Sequence, residues 1–257
     1  VLSDLVAGAL QDASDRRGAR SLADVEAAAL ARPAALDALG ALSPSERVKI
    51  IAEVKRASPS RGALAEIPDP AALACSYETG GASAISVLTE RRRFGGSLAD
   101  LEAVRDAVSV PVLRKDFIAD PYQVFEARAA GADLVLLIVA ALEQPVMQEL
   151  FDLVGELGMT ALVETHSGDE VSRALDLGAT LVGVNARNLS TFELDQNLFG
   201  RLADSIPSGV TRVAESAVKS AADVAHYRAA GADVVLVGEA LVIHGDPVAT
   251  LNEFLRS

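Results

Sequence analysis

The sequence predicts a closed (β/α)8 barrel carrying a helical extension at its N-terminal side, and three observations lead there. From Val48 onward, eight short apolar runs alternate with segments of helical periodicity, the pattern of buried parallel strands wrapped in helices. Four of those runs are entered through similar words, Gly80-Gly81-Ala82-Ser83, Ala130-Gly131-Ala132-Asp133, Leu177-Gly178-Ala179-Thr180 and Ala230-Gly231-Ala232-Asp233, each with a glycine where a helix stops. The echo recurs roughly every fifty residues, about two strand-helix units, so it marks the second, fourth, sixth and eighth strands. An even eightfold count favours closure. The alternative is an open doubly wound sheet, but nothing resembling G-x-G-x-x-G follows the first strand.

Residues 1 to about 47 read as helix. Leu2, Leu5, Val6 and Leu10 share one face, and a second alanine-rich segment runs from Ser21, a capping residue, to Ala31, where Arg32-Pro33 interrupts it. A third stretch ends at Gly40, and Ser43-Pro44-Ser45 is placed to cap one more turn. No strand is expected here. The segment reads as an extension that covers one end of the barrel, within a single domain spanning 1–257.

The strands then follow as Val48–Val54, Ala84–Leu88, Val110–Arg114, Leu134–Val139, Thr160–Val163, Leu181–Val184, Thr211–Ala214 and Val234–Val237. Helical periodicity fills the gaps at Pro70–Glu78, Ser97–Ala107, Pro121–Ala130, Pro145–Leu157, Asp169–Leu177 and Ala221–Ala230.

Composition closes several function classes. Half of the 257 residues are hydrophobic, ample for a large core, and the formal net charge of -13 argues against nucleic acid or an anionic membrane as partner. No uninterrupted apolar run is long enough to span a bilayer, and Val1-Leu2-Ser3-Asp4 lacks the features of a secretory signal, so a cytoplasmic protein is expected, acting as a monomer. The lone Cys75 sits in an alanine-rich helix and reads as packing. His166, His226 and His244 are widely separated with no ligand spacing, so no metal site is expected; His166, near a strand end, reads as a surface or supporting residue.

The residues that break the apolar pattern lie at strand ends, where barrels of this class place their chemistry. Glu53 and Lys55 are two apart on the first strand and so share a wall with Ile51. Lys115 lies on the face of Leu113 and Phe117, Glu164 on that of Leu162, Asn185 on that of Gly183 and Glu215 on that of Val213, with Arg187 two beyond Asn185. Taken singly, each is a solvated residue where a strand leaves the barrel. Two lysines and three glutamates at corresponding ends of different strands are better explained by convergence on one cavity.

Loops after the seventh and eighth barrel strands often hold phosphate through backbone N–H groups. Here they are Ser216-Ala217-Val218-Lys219 and Gly238-Glu239-Ala240-Leu241, with Ser58-Pro59-Ser60 beside them once the barrel closes. The Glu239 side chain would repel an anion, so it is expected to turn outward and leave its amide to bind. Ordinary turn chemistry is the alternative reading of these loops. An apolar wall completes the cavity: Phe94, between Glu90-Arg91-Arg92-Arg93 and Gly95-Gly96, with Phe117, Leu136 and Leu189. For Leu136 a core role is the alternative, and the three arginines read as a solvated face.

Glu53-Val54-Lys55-Arg56-Ala57-Ser58-Pro59-Ser60, Ser86-Val87-Leu88-Thr89-Glu90 with Phe94, Val112-Leu113-Arg114-Lys115-Asp116-Phe117, Leu162-Val163-Glu164, Gly183-Val184-Asn185-Ala186-Arg187-Asn188-Leu189, Ala214-Glu215-Ser216 and Val237-Gly238-Glu239-Ala240-Leu241 together resemble the successive motifs of the indole-3-glycerol-phosphate synthase family. The resemblance runs from about Leu2 to Val242 in order and spacing, and as a set it is highly specific. It implies a tryptophan-pathway carboxy-lyase without metal or organic cofactor, acting on 1-(2-carboxyphenylamino)-1-deoxyribulose 5-phosphate. By that pattern Lys115 is the general acid of ring closure, Glu164 serves the later proton transfers, and Lys55 is a further acid or carboxylate partner. Glu53, Asn185 and Glu215 hold these groups and the sugar hydroxyls. Phe94, Phe117, Leu136 and Leu189 flank the aromatic ring; Ser58, Ser216, Ala217, Gly238 and Glu239 hold phosphate, and Pro59 and Arg187 also touch substrate. One departure stands out: the family pattern has glycine where this chain has Ala217. A positive φ there would strain alanine, whereas an ordinary φ would make the change harmless.

Two other readings remain at this level. A phosphoribosylanthranilate isomerase would pair a cysteine with an aspartate, and no cysteine lies at a strand end. A barrel that only binds a metabolite or a protein would be expected to lack Lys115 or Glu164, and both are present.

Overall fold

A computed structural model describes residues 1–59, 61–243 and 245–257; Ser60 and His244, both singled out in the sequence, lie outside the described residues. Eight parallel strands close a barrel in sequential order: β1 (Lys49–Val54), β2 (Ala84–Leu88), β3 (Val112–Lys115), β4 (Leu134–Ile138), β5 (Thr160–Thr165), β6 (Leu181–Asn185), β7 (Thr211–Glu215) and β8 (Val234–Val237), with β8 pairing back onto β1. The closed ring excludes the open-sheet alternative. Alternation along each strand produces two apolar layers. On β1, Ile50, Ala52 and Val54 pack outward against the helices, while Ile51 joins Leu113, Leu162, Val213 and Leu236 inside the barrel. Each such fully buried Leu or Ile stabilises the fold by roughly 1.5–3 kcal/mol.

The four echoed glycines adopt positive φ, from 82° at Gly178 to 96° at Gly81, where a helix hands over to the next strand. Strand boundaries depart from the apolar pattern at both kinds of end. β5, β6 and β7 continue through Glu164, Asn185 and Glu215, because main-chain pairing goes on (Glu164 opposite Gly183, Asn185 opposite Glu215) after the side chains have turned polar. β3 starts only at Val112, since Pro111 has no N–H to give a ladder. The loop after β1 holds a two-stranded ribbon, Ala57–Ser58 against Gly62–Ala63, which the sequence did not announce.

The extension reaches both ends of the barrel. Helix α1 (Leu2–Ala19) ties to the loop after β2 through Arg92–Asp12 at 2.7 Å and to α6 (Pro121–Ala129) through Arg16–Glu126 at 2.5 Å. After α2 (Leu22–Leu30), the Leu36 N–H donates to Asp133, just ahead of β4, and α3 (Ala38–Ala41) places Ala38 and Leu42 in the barrel interior. The extra turn expected at Ser43-Pro44-Ser45 does not form: Ser43 Oγ donates to the Gly40 carbonyl and Ser45 Oγ to that of Arg47, local bonds that compete with helix. Helices α4 (Pro70–Thr79), α5 (Leu98–Ala107), α7 (Gln144–Glu156), α8 (Gly168–Asp176), α9 (Leu198–Ala203), α10 (Ala221–Ala229), α11 (Glu239–Ile243) and α12 (Pro247–Phe254) complete the outer shell. No described helix is long and apolar enough to cross a membrane.

Candidate active site

The C-terminal ends of the strands open into a cleft of about 770 Å³. Into it β1 brings Glu53 and Lys55, β3 brings Lys115, β5 Glu164 and β6 Asn185, as the period-two reading of each strand end required. Glu215 on β7 lies beneath, almost wholly buried. Glu53 is the hub: its Oε2 is 2.7 Å from Lys55 Nζ and its Oε1 3.3 Å from Lys115 Nζ, which in turn stands 3.5 Å from Glu215 Oε2. Two glycines make room for this cluster. A Cβ on Gly238 would sit 2.5 Å from Glu53 Oε2, and one on Gly183 would collide with Glu215 Oε1.

The charges are unequal in kind. Burial opposes ionisation of Glu53, but Lys115 and Lys55 hold its carboxyl below the usual range. Lys115 is raised well above the ordinary lysine value, since Glu53, Glu215 and Glu164 outweigh burial. Glu164 and Glu215 are pushed apart. Burial would raise both, yet Glu164 is brought down to about 2, chiefly by His166, whereas Glu215 is pushed up to about 8 by burial and by the charge of Glu164. The mouth therefore offers a cationic lysine, an ionised glutamate and a protonated one side by side, the separation that acid and base chemistry at one pH needs. Among the described residues, Glu53 Oε1 and both oxygens of Glu215 lack a hydrogen-bond partner.

A polar string supports Glu164. Asn185 Nδ2 donates to Glu164 Oε1 at 3.0 Å, and Asn185 Oδ1 accepts from Ser216 Oγ at 2.7 Å and from the Arg187 N–H at 3.0 Å. The Ser216 hydroxyl proton is thus committed to Asn185, which leaves main-chain N–H groups and the Lys219 ammonium as the donors for an anion at that loop.

Phe94, Phe117, Leu136 and Leu189 line one side of the cleft, the two aromatic rings tilted with centroids 6.1 Å apart. Phe94 is held by its own loop: the buried Glu90 carboxylate accepts from the N–H groups of Arg92, Arg93 and Phe94. The three arginines are exposed as expected, but Arg92 also pins this loop to α1. Leu5, Leu88 and Ile138, which sequence reasoning did not single out, extend the apolar wall, so the N-terminal extension forms part of the cleft.

A smaller lobe of about 520 Å³ continues from the same mouth between the loops after β7 and β8. Ser216, Ala217, Lys219, Gly238 and Glu239 line it, with Lys55 and Arg187 facing in. Ser58 and Pro59 line the larger cleft instead. Ser216 and Ala217 both take positive φ, 69° and 59°, so Ala217 occupies a backbone conformation that suits glycine. The Glu239 carboxylate is met by a cation rather than only turned away: it pairs with Arg61 from the loop after β1. His166 supports rather than lines the cleft, standing 3.3 Å from Glu164 Oε1. Neither the Arg61 contact nor the His166 contact is readable from local spacing alone.

Residues 2–254 match the family model for indole-3-glycerol phosphate synthase. The chain is 77% identical over 254 residues to an indole-3-glycerol phosphate synthase of Leifsonia xyli subsp. xyli, covering 99% of this chain and 97% of that one. It is 59% identical over 257 residues to one from Beutenbergia cavernae, covering 100% and 95%. Among solved structures it superposes on a 3-hexulose-6-phosphate synthase with TM-score 0.64 at 20% identity, over 81% of this chain and 99% of that one. It also superposes on the thiamine phosphate pyrophosphorylase from Pyrococcus furiosus with TM-score 0.60 at 15% identity, over 81% and 94%. Those two are likenesses of barrel fold. Full-length agreement with the synthases sets aside the isomerase and the binding-only barrel, and with a lysine, paired glutamates, an aromatic wall and an adjoining cationic lobe at one mouth, the chain belongs to the indole-3-glycerol phosphate synthase family, carboxy-lyases of tryptophan biosynthesis that act on a phosphorylated small molecule.

Proposed function

We propose that this mouth closes, decarboxylates and dehydrates 1-(2-carboxyphenylamino)-1-deoxyribulose 5-phosphate, with the aromatic ring against Phe94, Phe117, Leu136 and Leu189 and the phosphate in the lobe between the loops after β7 and β8. The ring carbon bearing the carboxylate attacks the sugar carbonyl carbon while Lys115 protonates the carbonyl oxygen, and loss of CO2 returns the electron pair to the ring. Lys115 is a weak acid in the resting cluster, but the oxygen it serves becomes alkoxide-like and far more basic as the bond forms. Lys55 then gives a proton to the departing hydroxyl, and Glu164 takes the carbon-bound proton that completes the indole. Glu53 and Glu215 hold the two ammonium groups, Asn185 orients Glu164, and Ser58, Pro59 and Arg187 contact the sugar phosphate. The phosphate meets Ser216, Ala217, Gly238 and the Glu239 amide, whose side-chain charge Arg61 offsets.

The observation that carries this reading is that Lys115 and Glu164, from strands far apart in the chain, line one cavity beside the Phe94–Phe117 wall. The lining runs from Leu5 of the extension to Glu239 after β8, which supports residues 1–257 as one domain, and we take a monomer as the working unit. A charged sugar phosphate crosses membranes poorly, which favours a cytoplasmic setting. The test separates the two halves of the reaction. Glu164→Gln is expected to release CO2 from carboxyl-labelled substrate while indole fluorescence lags far behind, whereas fluorescence at the wild-type rate would remove Glu164 from the dehydration.

A further inference from the structure

His166 does not itself line the cleft, yet it is held from both sides. Its Nε2 lies 3.3 Å from Glu164 Oε1, and its Nδ1 lies 3.2 Å from Glu170 Oε2. Glu170 is itself fixed in the first turn of α8: its carboxylate accepts from the His166 main-chain N–H at 2.7 Å, and its own N–H donates to Ser167 Oγ at 3.2 Å. Ser167 and Glu170 thus form a helix start whose acidic member folds back onto the imidazole. With a carboxylate at each ring nitrogen, a neutral imidazole would set a bare nitrogen lone pair against negative charge. Only the doubly protonated ring meets both. The Nε2 contact lacks hydrogen-bond alignment, so charge rather than direction carries it.

We propose that His166 is a positioning residue that makes Glu164 the charged member of the neighbouring Glu164–Glu215 pair and leaves Glu215 to hold the proton. The inference rests on the reading of Glu164 as a reacting group and adds a residue that acts only through it. The groups facing the pair come from four elements: Lys115 on β3, whose ion pairs run to Glu53 of β1 and to Glu215, Asn185 on β6, and Glu170 on α8 behind the ring. Among the described residues the cation standing directly on Glu164 is therefore His166. The titration directions agree: against burial, the two carboxylates raise His166 to about 10, and it leads the interactions that bring Glu164 down to about 2. His166 and Asn185 both engage Oε1 of the Glu164 carboxylate.

The consequence is a base that stays ionised well below neutral pH. The chain has three histidines, so the ring nitrogen signals of His166 can be assigned by their loss in His166→Asn. In the wild-type enzyme the ring is expected to remain doubly protonated at pH 8, and Glu170→Gln should lower its titration by about one to three units. In His166→Asn the acidic limb of the kcat profile should move upward by a similar amount, about one to three units, with KM unchanged. A wild-type ring titrating near the ordinary 6.5, or an unmoved acidic limb in folded His166→Asn, overturns the proposal. Should His166→Asn fail to fold, Glu170→Gln keeps the ring in place and decides through its own limb, expected to shift in the same direction; no shift there overturns it. Full activity in Glu164→Gln would instead sink the catalytic reading of Glu164, and it would leave the nuclear magnetic resonance result on His166 intact.

Discussion

Arg114 and Lys115 are adjacent on β3 and point to opposite sides of the barrel wall. Outside, the buried Arg114 guanidinium donates to the Gln123 carbonyl at 2.7 Å, to Asp116 at 3.1 Å, to Thr89 at 3.2 Å and to Glu126 at 3.4 Å. Its acceptors are occupied in turn, Asp116 by Thr89 Oγ1 and the Phe117 N–H, Glu126 by Arg16. Inside, the Lys115 ammonium stands between the Glu53 carboxylate at 3.3 Å and the Glu215 carboxyl group at 3.5 Å, and three of their four oxygens lack a hydrogen-bond partner among the described residues. A buried charge whose bonds are complete holds the wall together. One whose neighbours remain unsatisfied is poised for something that arrives, because leaving such groups unpaired in a merely structural role would be a standing cost.

The same substitution at the two positions separates their roles most strongly. Lys115→Met should lower kcat by about 10²–10⁴-fold while its denaturant midpoint stays near the wild-type value. Arg114→Met should destabilise the fold by about 3–5 kcal/mol, because the buried Asp116 loses its cationic partner and the Gln123 carbonyl its donor, with the remaining folded enzyme still active. Equal stability losses at the two sites would erase the distinction. A smaller effect is expected from Gly238→Ala: the added methyl meets the Glu53–Lys55 pair, so kcat/KM should fall by about tenfold, roughly 1.4 kcal/mol, with little change in unfolding. Unchanged kinetics would show that the pair tolerates displacement. Smallest is Ala217→Gly, which relieves a positive-φ alanine and should raise stability by up to about 1 kcal/mol in urea titration. A loss of stability would mean the loop gains more from the methyl than it loses in backbone strain.

The barrel and the charged rim were legible in the sequence because both rest on short-range periodicity: apolar runs of period two, glycines at helix ends, and polar residues just where the runs stop. Glu53, Lys115, Glu164 and Asn185 meet at one mouth, as their strand positions required. Features that depend on distant partners or on single torsions were not legible. Arg92–Asp12 and Arg61–Glu239 join segments with no shared local pattern, and the φ of Ala217 follows from how its loop turns after β7. The clamp on His166 did leave a cue, a Ser167-x-x-Glu170 helix start directly after the histidine, but spacing alone gives no reason for Glu170 to fold back onto the ring. Polar residues that end an apolar run also hide strand length, which is why β5, β6 and β7 extend further than the pattern suggested.

The arrangement of the whole site is tested most directly by a crystal structure of Lys115→Met with intact substrate bound. The account predicts the aromatic ring against Phe94 and Phe117, the phosphate between the Ala217 and Gly238 loops, and the keto oxygen about 3 Å from the position that Lys115 Nζ occupies in the wild-type chain. A substrate lying with its phosphate against the phenylalanines, or with its keto oxygen turned away from that position, would contradict it.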